Sequence, residues 1–256
     1  MTTVITITAL GTNLIYLHGC GDGRVFVVDP GSAAPVLEAL ERQSLSLAAI
    51  LVTHHHWDHI AGAADLQAKA RCELIGVDST LLPRPDRIVA DGDVLTLGDV
   101  SVQVIATPGH TRNSVCYHVP AQEGVSGVVY TGDTLFVGGC GRLLEGDATM
   151  MWQSLQKLTA LPDNTLVYCG HDCSLENYEF AVSIDPGNRR FRQRLAEVQK
   201  AAEYGRLTVP STIAQEKGMN IFLLAEDPQV QAVLGIPNAT PAEVFAELRS
   251  RKDAFG

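Results

Sequence analysis

The chain has 256 residues and a formal net charge of −10, with 46% hydrophobic and 19% charged residues. This length allows one or two domains with a sizeable core, and the composition excludes a disordered or fibrous protein. The negative charge makes nucleic acid and anionic membrane surfaces poor partners.

Strands and helices alternate from the start of the chain to about residue 170. Short β-branched runs bounded by Gly, Pro and Asp predict strands, and the periodic apolar stretches between them predict helices. This alternation is typical of an α/β fold. The predicted strands are Val4–Thr8, Asn13–His18, Val25–Asp29, Ala49–Thr53, Ser101–Ala106, Val115–Val119, Val128–Thr131 and Thr165–Cys169, and the helices are Ala33–Arg42, Ile60–Lys69 and Thr149–Leu161.

The pattern changes after Cys173, where helical spacing dominates and prolines separate the segments. Helices are predicted over Leu175–Ile184, Asn188–Tyr204 and Pro241–Lys252, and no strand of comparable quality follows. We therefore predict an α/β domain over residues 1–173 and a helical C-terminal domain over residues 174–256.

The cysteines and the hydropathy pattern point to an intracellular environment. Six cysteines are scattered along the chain without a C-x-x-C pair, which gives no support to a thiolate zinc site or a redox motif. No basic leader precedes an apolar run, and no segment approaches the roughly 18 apolar residues of a membrane span. We expect a cytoplasmic protein.

The segment from Thr53 to His59, with the sequence THHHWDH, directly follows a predicted strand. In an extended loop, residues two apart point the same way, so His54 and His56 can converge on one metal ion. Asp58 and His59, just beyond them, can face a second ion.

Three further candidate ligands follow β-rich runs and adjoin glycine: His110 in TPGHT, Asp133 in TGDT and His171 in CGHD. Loops at strand ends present ligands from a rigid sheet, and glycine allows the tight turn. Each residue alone has an ordinary interpretation as a turn aspartate or a hydrogen-bonded loop histidine, and the histidine triplet alone as a surface patch. Together they favour a site for two ions, whereas His18, His55 and His118 are assigned structural or solvated roles.

These segments resemble the ordered motifs of the metallo-β-lactamase superfamily: H-x-H-x-D-H, P-G-H-T, G-D-T and G-H. The resemblance implies a four-layer αββα sandwich with two divalent metal ions at one edge. It assigns the first ion to His54, His56 and His110, the second to Asp58, His59 and His171, and makes Asp133 the bridge. Zinc is the expected metal. Iron and manganese are alternatives, because imidazole and carboxylate ligands suit all three metals.

Such a site predicts a hydrolase. Two ions roughly 3.5–4 Å apart bind a water between them and lower its pKa, so that hydroxide exists near neutral pH. Asp58 is the candidate catalytic residue that orients this water or accepts its proton. The sequence offers no obvious general acid beyond the cluster, which is compatible with a thioester because a thiolate departs readily without one.

Two more segments resemble the glyoxalase II, or hydroxyacylglutathione hydrolase, family: the run from Thr131 to Gly146 and the terminal run from Leu248 to Phe255. The resemblance implies hydrolysis of S-D-lactoylglutathione to glutathione and D-lactate, with the helical C-terminal domain binding substrate. It assigns contacts with glutathione to Arg142, Arg249 and Lys252; without it, the charges on the terminal helix would be taken as solvated. Leu144 and Cys173 stand where the family often has tyrosine, and Cys173 is kept as a candidate contact.

The sequence leaves two alternative functions open. One is a glutathione persulfide dioxygenase of the same superfamily with a single iron, which oxygen uptake would distinguish from a hydrolase. The other is a non-catalytic metal-binding module of the same fold. A monomer acting on a small glutathione thioester, without nucleic acid or membrane partners, is expected.

Overall fold

The computed structural model describes residues 4–81 and 84–255, which form two compact units. The first unit contains the chain up to Ala106 together with Asn113–Gly132, and the second contains Thr107–Arg112 and the chain from Asp133 onward. Within the described residues, no helix has the length and apolar character needed to cross a membrane.

A six-stranded mixed sheet forms much of the first unit. The first three strands pair antiparallel and the remaining neighbours pair parallel. Because the third and fourth strands run parallel, the residues that follow them meet at the same edge of the sheet. In spatial order the strands are β1 (Val4–Ala9), β2 (Asn13–Gly19), β3 (Arg24–Val28), β4 (Ser46–Leu51), β5 (Glu73–Gly76) and β6 (Arg87–Ile88).

Three helices accompany this sheet: α1 (Ala33–Gln43), α2 (Trp57–Ile60) and α3 (Ala63–Ala70). The buried residues Val36, Ala39 and Leu40 of α1 follow the i, i+3, i+4 spacing of an amphipathic helix and join the core of the sheet. The helix ends at Ser44, whose left-handed backbone directs its N–H to the carbonyl groups of the last turn. Helix α2 is a single turn that carries two of the predicted ligands.

The first unit also contains four antiparallel strands: β7 (Val94–Leu97), β8 (Val100–Ala106), β9 (Val115–Val119) and β10 (Val128–Gly132). The last two are buried along their whole length. The Tyr117 hydroxyl donates to the Val52 carbonyl at 2.9 Å, and the Tyr130 ring lies 5.4 Å from that of Tyr16. These contacts pack the four strands against the mixed sheet.

The second unit is mainly helical. Its helices are α4 (Ala148–Thr159), α5 (Ser174–Ile184), α6 (Arg189–Glu203), α7 (Ile213–Met219), α8 (Pro228–Leu234) and α9 (Pro241–Asp253), with a 3₁₀ helix over Ile221–Leu224. Two antiparallel strand pairs complete the unit: β11 (Leu135–Phe136) with β12 (Gly139–Cys140), and β13 (Leu166–Cys169) with β14 (Ser211–Thr212).

Aromatic rings form the centre of the helical core. The Phe222 ring lies 5.8 Å from Phe180 and 5.8 Å from Phe245. Such pairs contribute about 0.5–1.5 kcal/mol beyond their buried area. Helix α9 begins with a capping box between Thr240 and Glu243, which contributes about 1 kcal/mol to helix stability.

The structure departs from the predicted elements in several places. The single helix predicted over Ile60–Lys69 is wrong, because the chain breaks between α2 and α3 at Gly62. A Cβ on Gly62 would clash with the backbone of Ser32 and Ala33. Strands β5, β6 and β7 and helices α7 and α8 were not predicted, and the short strand β14 follows Cys173, where no strand was expected.

The compact units do not divide the chain at residue 173. The continuous part of the second unit starts at Asp133, because side chains of α5, α7 with its cap, and α9 bond to the backbone between Phe136 and Cys140. The functional division into residues 1–173 and 174–256 stays a prediction.

Candidate metal centre

His54 and His56 lie in the loop after β4 with their imidazoles facing each other. His54 Nε2 is 3.1 Å from His56 Nδ1. Two nitrogens bound to one zinc ion at about 2.0–2.1 Å would enclose an angle of about 100° at this separation. The Thr53 hydroxyl donates to Asp29 at 2.7 Å and lies 3.0 Å from His54 Nδ1. It therefore accepts from His54 Nδ1–H, which leaves the Nε2 lone pair for a metal.

Asp29 holds this ligand loop from the end of the neighbouring strand β3. Its carboxylate accepts hydrogen bonds from Thr53 N and Thr53 Oγ1, each at 2.7 Å, and from His59 Nδ1 at 3.0 Å. A carboxylate behind a metal-binding histidine fixes the tautomer of the ring and raises its basicity. Asp29 was not among the site residues predicted from the sequence. The available signal was an aspartate at the end of a buried strand that neighbours the histidine run.

Asp58 and His59 lie on α2, immediately after His56. His59 Nε2 is 3.7 Å from Asp58 Oδ2, a separation that two ligands of one ion can have. Asn13 Nδ2 lies 3.0 Å from both the carbonyl oxygen and the Oδ2 of Asp58. Asn13, also missed in the sequence, therefore orients the candidate catalytic carboxylate.

An exposed apolar rim borders this cluster. The Trp57 side chain is 67% exposed, although His54 and His59 are each 1% exposed. Leu10, at the turn between β1 and β2, is 49% exposed. A Cβ on Gly31 would clash with the Asp58 carbonyl oxygen and would lie 3.2 Å from Leu10 Cδ1, which places Leu10 beside the ligand segment.

In the second unit, His110 and His171 approach the same oxygen of Asp133. The Nε2 atom of each histidine is 3.5 Å from Asp133 Oδ2. This separation exceeds the usual hydrogen-bond distance of about 2.7–3.2 Å and is ordinary between ligands of a shared ion. Two imidazoles that approach one carboxylate oxygen are expected where an aspartate lies between two metal ions.

The backbone behind His110 fixes the orientation of its ring. His110 Nδ1 is 2.8 Å from the Arg142 carbonyl oxygen, so Nδ1–H donates and Nε2 keeps its lone pair. Gly141 makes this approach possible, because a Cβ there would clash with the Asp133 carbonyl oxygen and lie 3.0 Å from His110 Nδ1. The same short segment therefore touches two predicted ligands.

The three histidines outside the predicted ligand set lie in the first unit. His18 is fully buried, with Nδ1 2.6 Å from the Tyr130 hydroxyl, and burial lowers its pKa to about 4. His118 Nδ1 lies 3.1 Å from the Gln103 side chain. His55 is buried beside His56, with ring centres 5.3 Å apart.

The predicted glutathione contacts differ in accessibility. Arg142 is exposed, as is Leu144 at 59%. Cys173 is only partly exposed, and burial, with the Asp133 charge as a second cause, raises the pKa of its thiol to about 12. Cys173 is therefore a neutral thiol near pH 7 and only a weak hydrogen-bond donor.

The two predicted contacts on α9 have protein partners of their own. Lys252 Nζ donates to the Glu176 carbonyl at 3.1 Å, and burial lowers the pKa of this amine. Arg249 is 4% exposed, and its guanidinium donates to the Cys140 carbonyl and the Asp253 carboxylate. Direct contact of either side chain with glutathione stays a prediction.

Comparisons with known proteins place the chain in a family. The model described as Metallo-beta-lactamase superfamily matches residues 7–171, and that described as Hydroxyacylglutathione hydrolase C-terminus matches residues 172–255. The chain is thus a member of the metallo-β-lactamase superfamily. A hydroxyacylglutathione hydrolase of Ruegeria pomeroyi is 43% identical over 255 residues, which are 98% of each chain. Within the superfamily, the chain belongs to the hydroxyacylglutathione hydrolase family.

A second relative agrees with this placement, and two solved structures share the fold. A hydroxyacylglutathione hydrolase of Brucella anthropi is 46% identical over 94% of this chain and 92% of the relative. ETHE1 from Myxococcus xanthus has a TM-score of 0.66 at 24% identity, covering 99% of this chain and 100% of its own. TTHA1623, in a di-iron-bound form, has a TM-score of 0.61 at 25% identity, covering 86% and 100%.

The predicted α/β metallo-β-lactamase sandwich with a helical C-terminal region is confirmed by these matches. The fold and its histidine and aspartate clusters also indicate that the chain binds divalent metal.

Proposed function

We propose that the chain hydrolyses S-(2-hydroxyacyl)glutathione thioesters such as S-D-lactoylglutathione, giving glutathione and a 2-hydroxy acid such as D-lactate. The observation that carries this proposal is the ligand geometry. Asp29 fixes the tautomer of His59, and the Arg142 carbonyl fixes that of His110. Asn13 orients the Asp58 carboxylate. The C-terminal family model and the relatives of matching length favour glutathione thioesters over other substrates.

The metal ligands form the first part of the proposal. His54, His56 and His110 would hold one ion, Asp58, His59 and His171 would hold the other, and Asp133 would contribute its carboxylate to both. The donor set fits zinc, and iron or manganese are the alternatives; TTHA1623, a similar protein, was crystallised in a di-iron-bound form. When bound, two such ions supply a hydroxide nucleophile near neutral pH and a Lewis acid for the thioester carbonyl.

The side chains around the ions position and activate the reactants. Asp58, oriented by Asn13, accepts the proton of the attacking water. Asp29 and Thr53 keep His59 and His54 in the tautomers that present Nε2. The thiolate of glutathione leaves without a general acid, because its basicity is far below that of an amide nitrogen.

Glutathione binding is assigned to the second unit. Glutathione carries two carboxylates, which Arg or Lys bind through charge-assisted hydrogen bonds. Arg142 and Lys252 supply this charge, Cys173 offers a weaker contact, and Arg249 supports the site from its buried position. The monomeric state and the cytoplasmic location expected from the sequence stay predictions.

The experiment is hydrolysis of S-D-lactoylglutathione by the zinc-loaded protein, followed through the loss of thioester absorbance. Lys252→Ala should raise KM, whereas Arg251→Ala, an exposed neighbour on α9 paired with Glu247, should not. No thioester hydrolysis by the metal-loaded wild type would refute the proposal. Oxygen consumption with glutathione persulfide would instead favour a dioxygenase, and bound metal without either reaction would favour a non-catalytic module.

A further inference from the structure

The loop from Phe136 to Cys140 connects two groups of the candidate metal centre in the second unit, Asp133 and the backbone carbonyl that bonds to His110. It begins three residues after Asp133 and ends two residues before Arg142, whose carbonyl accepts from His110. Strands β11 and β12 pair across it, with Phe136 opposite Gly139. The path of this loop therefore determines where Asp133 and the Arg142 carbonyl lie.

Every residue of this loop has a backbone polar group bonded to a buried side chain of a helix or its cap. Asn177 donates to the Val137 carbonyl at 3.0 Å, and Glu216 accepts from Gly138 N–H at 2.9 Å. Asn220 donates to the Phe136 and Gly139 carbonyls at 3.3 and 2.9 Å, and Arg249 donates to the Cys140 carbonyl at 3.0 Å. We call these four side chains the polar clamp: Asn177, Glu216, Asn220 and Arg249.

The members of the polar clamp are also bonded to one another or to neighbours. Asn220 Nδ2 donates to Glu216 Oε2 at 3.0 Å, the same oxygen that accepts from Gly138. Arg249 is held by Asp253, one turn further along α9. None of the four is more than 4% exposed.

Burial of these polar groups has a substantial cost. An amide, carboxylate or guanidinium loses solvation inside a protein, and only complete hydrogen bonding offsets that loss. An apolar residue of similar volume would pack the same helices without needing hydrogen-bond partners. The hydrogen bonds instead specify one backbone path for the loop, and glycine at 138 and 139 leaves room for Tyr178 and Asn177 to approach it.

The fixed path continues to the predicted ligands. Gly141 directly follows the loop and packs against both the Asp133 carbonyl and His110 Nδ1. A displacement at Cys140 would therefore move the Arg142 carbonyl away from His110 and shift the Asp133 backbone. The Arg142 carbonyl is an outer partner of His110, and the loss of such a partner costs about 10–100-fold in metal affinity.

We propose that the polar clamp is a positioning device for the metal centre, through which helices α5, α7 and α9 hold Asp133 and His110 in ligating geometry. The proposal rests on the metal site assigned above. It gives the helical region a role in metal binding besides its assigned role in substrate binding, and it makes Arg249 a positioning residue.

The test compares Glu216→Leu with Glu216→Gln by titrating the metal-free proteins with Zn²⁺ against a chromophoric chelator. Glutamine keeps an oxygen that can accept from Gly138 and Asn220, whereas leucine removes it. We expect zinc affinity to fall at least about 10-fold in Glu216→Leu and to stay near the wild-type value in Glu216→Gln. Unchanged affinity in folded Glu216→Leu, or an equal loss in both variants, would overturn the proposal.

A second variant covers the case in which Glu216→Leu does not fold. Arg249→Met removes the bond to Cys140 while keeping most of the side-chain volume. Weaker zinc binding in this variant supports positioning, whereas a raised KM with wild-type zinc affinity would overturn it and favour direct glutathione contact. Absence of zinc binding by the wild type would refute the metal site itself, which separates the two failures.

Discussion

Replacing Asp29 by asparagine changes the buried carboxylate that holds two metal-ligand segments together. Asp29 Oδ2 accepts from both Thr53 Oγ1 and His59 Nδ1. An amide nitrogen in that place is itself a donor, so His59 must accept on Nδ1 and carry its proton on Nε2. That tautomer cannot bind a metal through Nε2. If the asparagine amide is instead rotated by 180°, its nitrogen faces the Thr53 N–H, and two donors then oppose each other.

The expected loss follows from these contacts. Removing an outer partner of a ligating histidine costs about 10–100-fold in metal affinity, which corresponds to about 1.4–2.7 kcal/mol. Folding stability should fall by about 1–3 kcal/mol, because one buried donor remains unsatisfied in either amide orientation. Asparagine tolerates the left-handed backbone that Asp29 adopts, so strain adds little.

The assay is zinc titration of the metal-free protein in competition with a chelator, with urea unfolding measured in parallel. Asp22→Asn is the matched control, because Asp22 has the same positive φ of 50° as Asp29 but is exposed. We expect wild-type behaviour in the control. Wild-type affinity for both zinc equivalents in folded Asp29→Asn would refute this account of the ligand loop.

Three further predictions follow from single residues. Burial lowers the pKa of His18 from 6.5 to about 4, so the unfolded chain takes up the proton first and stability should fall by about 2 kcal/mol from about pH 7 to about pH 5. In urea unfolding with a chelator present, His18→Phe should lack this loss, and the same loss in both proteins would contradict the assignment. Arg142→Ala should raise KM for the glutathione thioester about 10-fold and leave kcat unchanged, because the backbone bond to His110 is kept; exposed Arg206→Ala is the control, and an unchanged KM would argue against contact. Gly138→Ala should lower the free energy of unfolding in urea by about 1–3 kcal/mol more than Gly205→Ala, because both glycines have positive φ but of the two only Gly138 would clash with a ring, that of Tyr178. Equal losses of stability would show that the Tyr178 ring moves aside.

The candidate ligands could be proposed from the sequence because each one lies in a short local motif. His54, His56, Asp58 and His59 lie within six residues, and the loop geometry alone brings them near one another. Asp29 and Asn13 could not be found in this way. Asp29 lies 24 residues before Thr53 and Asn13 lies 45 before Asp58, so their contacts depend on which strands become neighbours.

The polar clamp was equally hidden from the sequence. Glu216 and Asn220 belong to α7 and its C-terminal cap, and a seven-residue helix is too short for its periodicity to be recognised. Their loop partners lie 78 and 81 residues earlier in the chain. A buried glutamate and asparagine also look like ordinary surface residues when only composition is considered. Resemblance assigned the terminal helix to the substrate, whereas only the folded structure reveals the bond from Arg249 to Cys140.

The exposure of Trp57 allows the region beside the candidate ligands to be followed by tryptophan fluorescence. The chain has two tryptophans, Trp57 at 67% exposure beside the ligand cluster and Trp152 at 9% in the helical core. Their fluorescence should therefore separate into a red-shifted component from the solvated indole and a blue-shifted one from the apolar interior. Paramagnetic iron or manganese near His56 should quench the first component selectively and zinc should not, so emission spectra could distinguish the metals without any added dye.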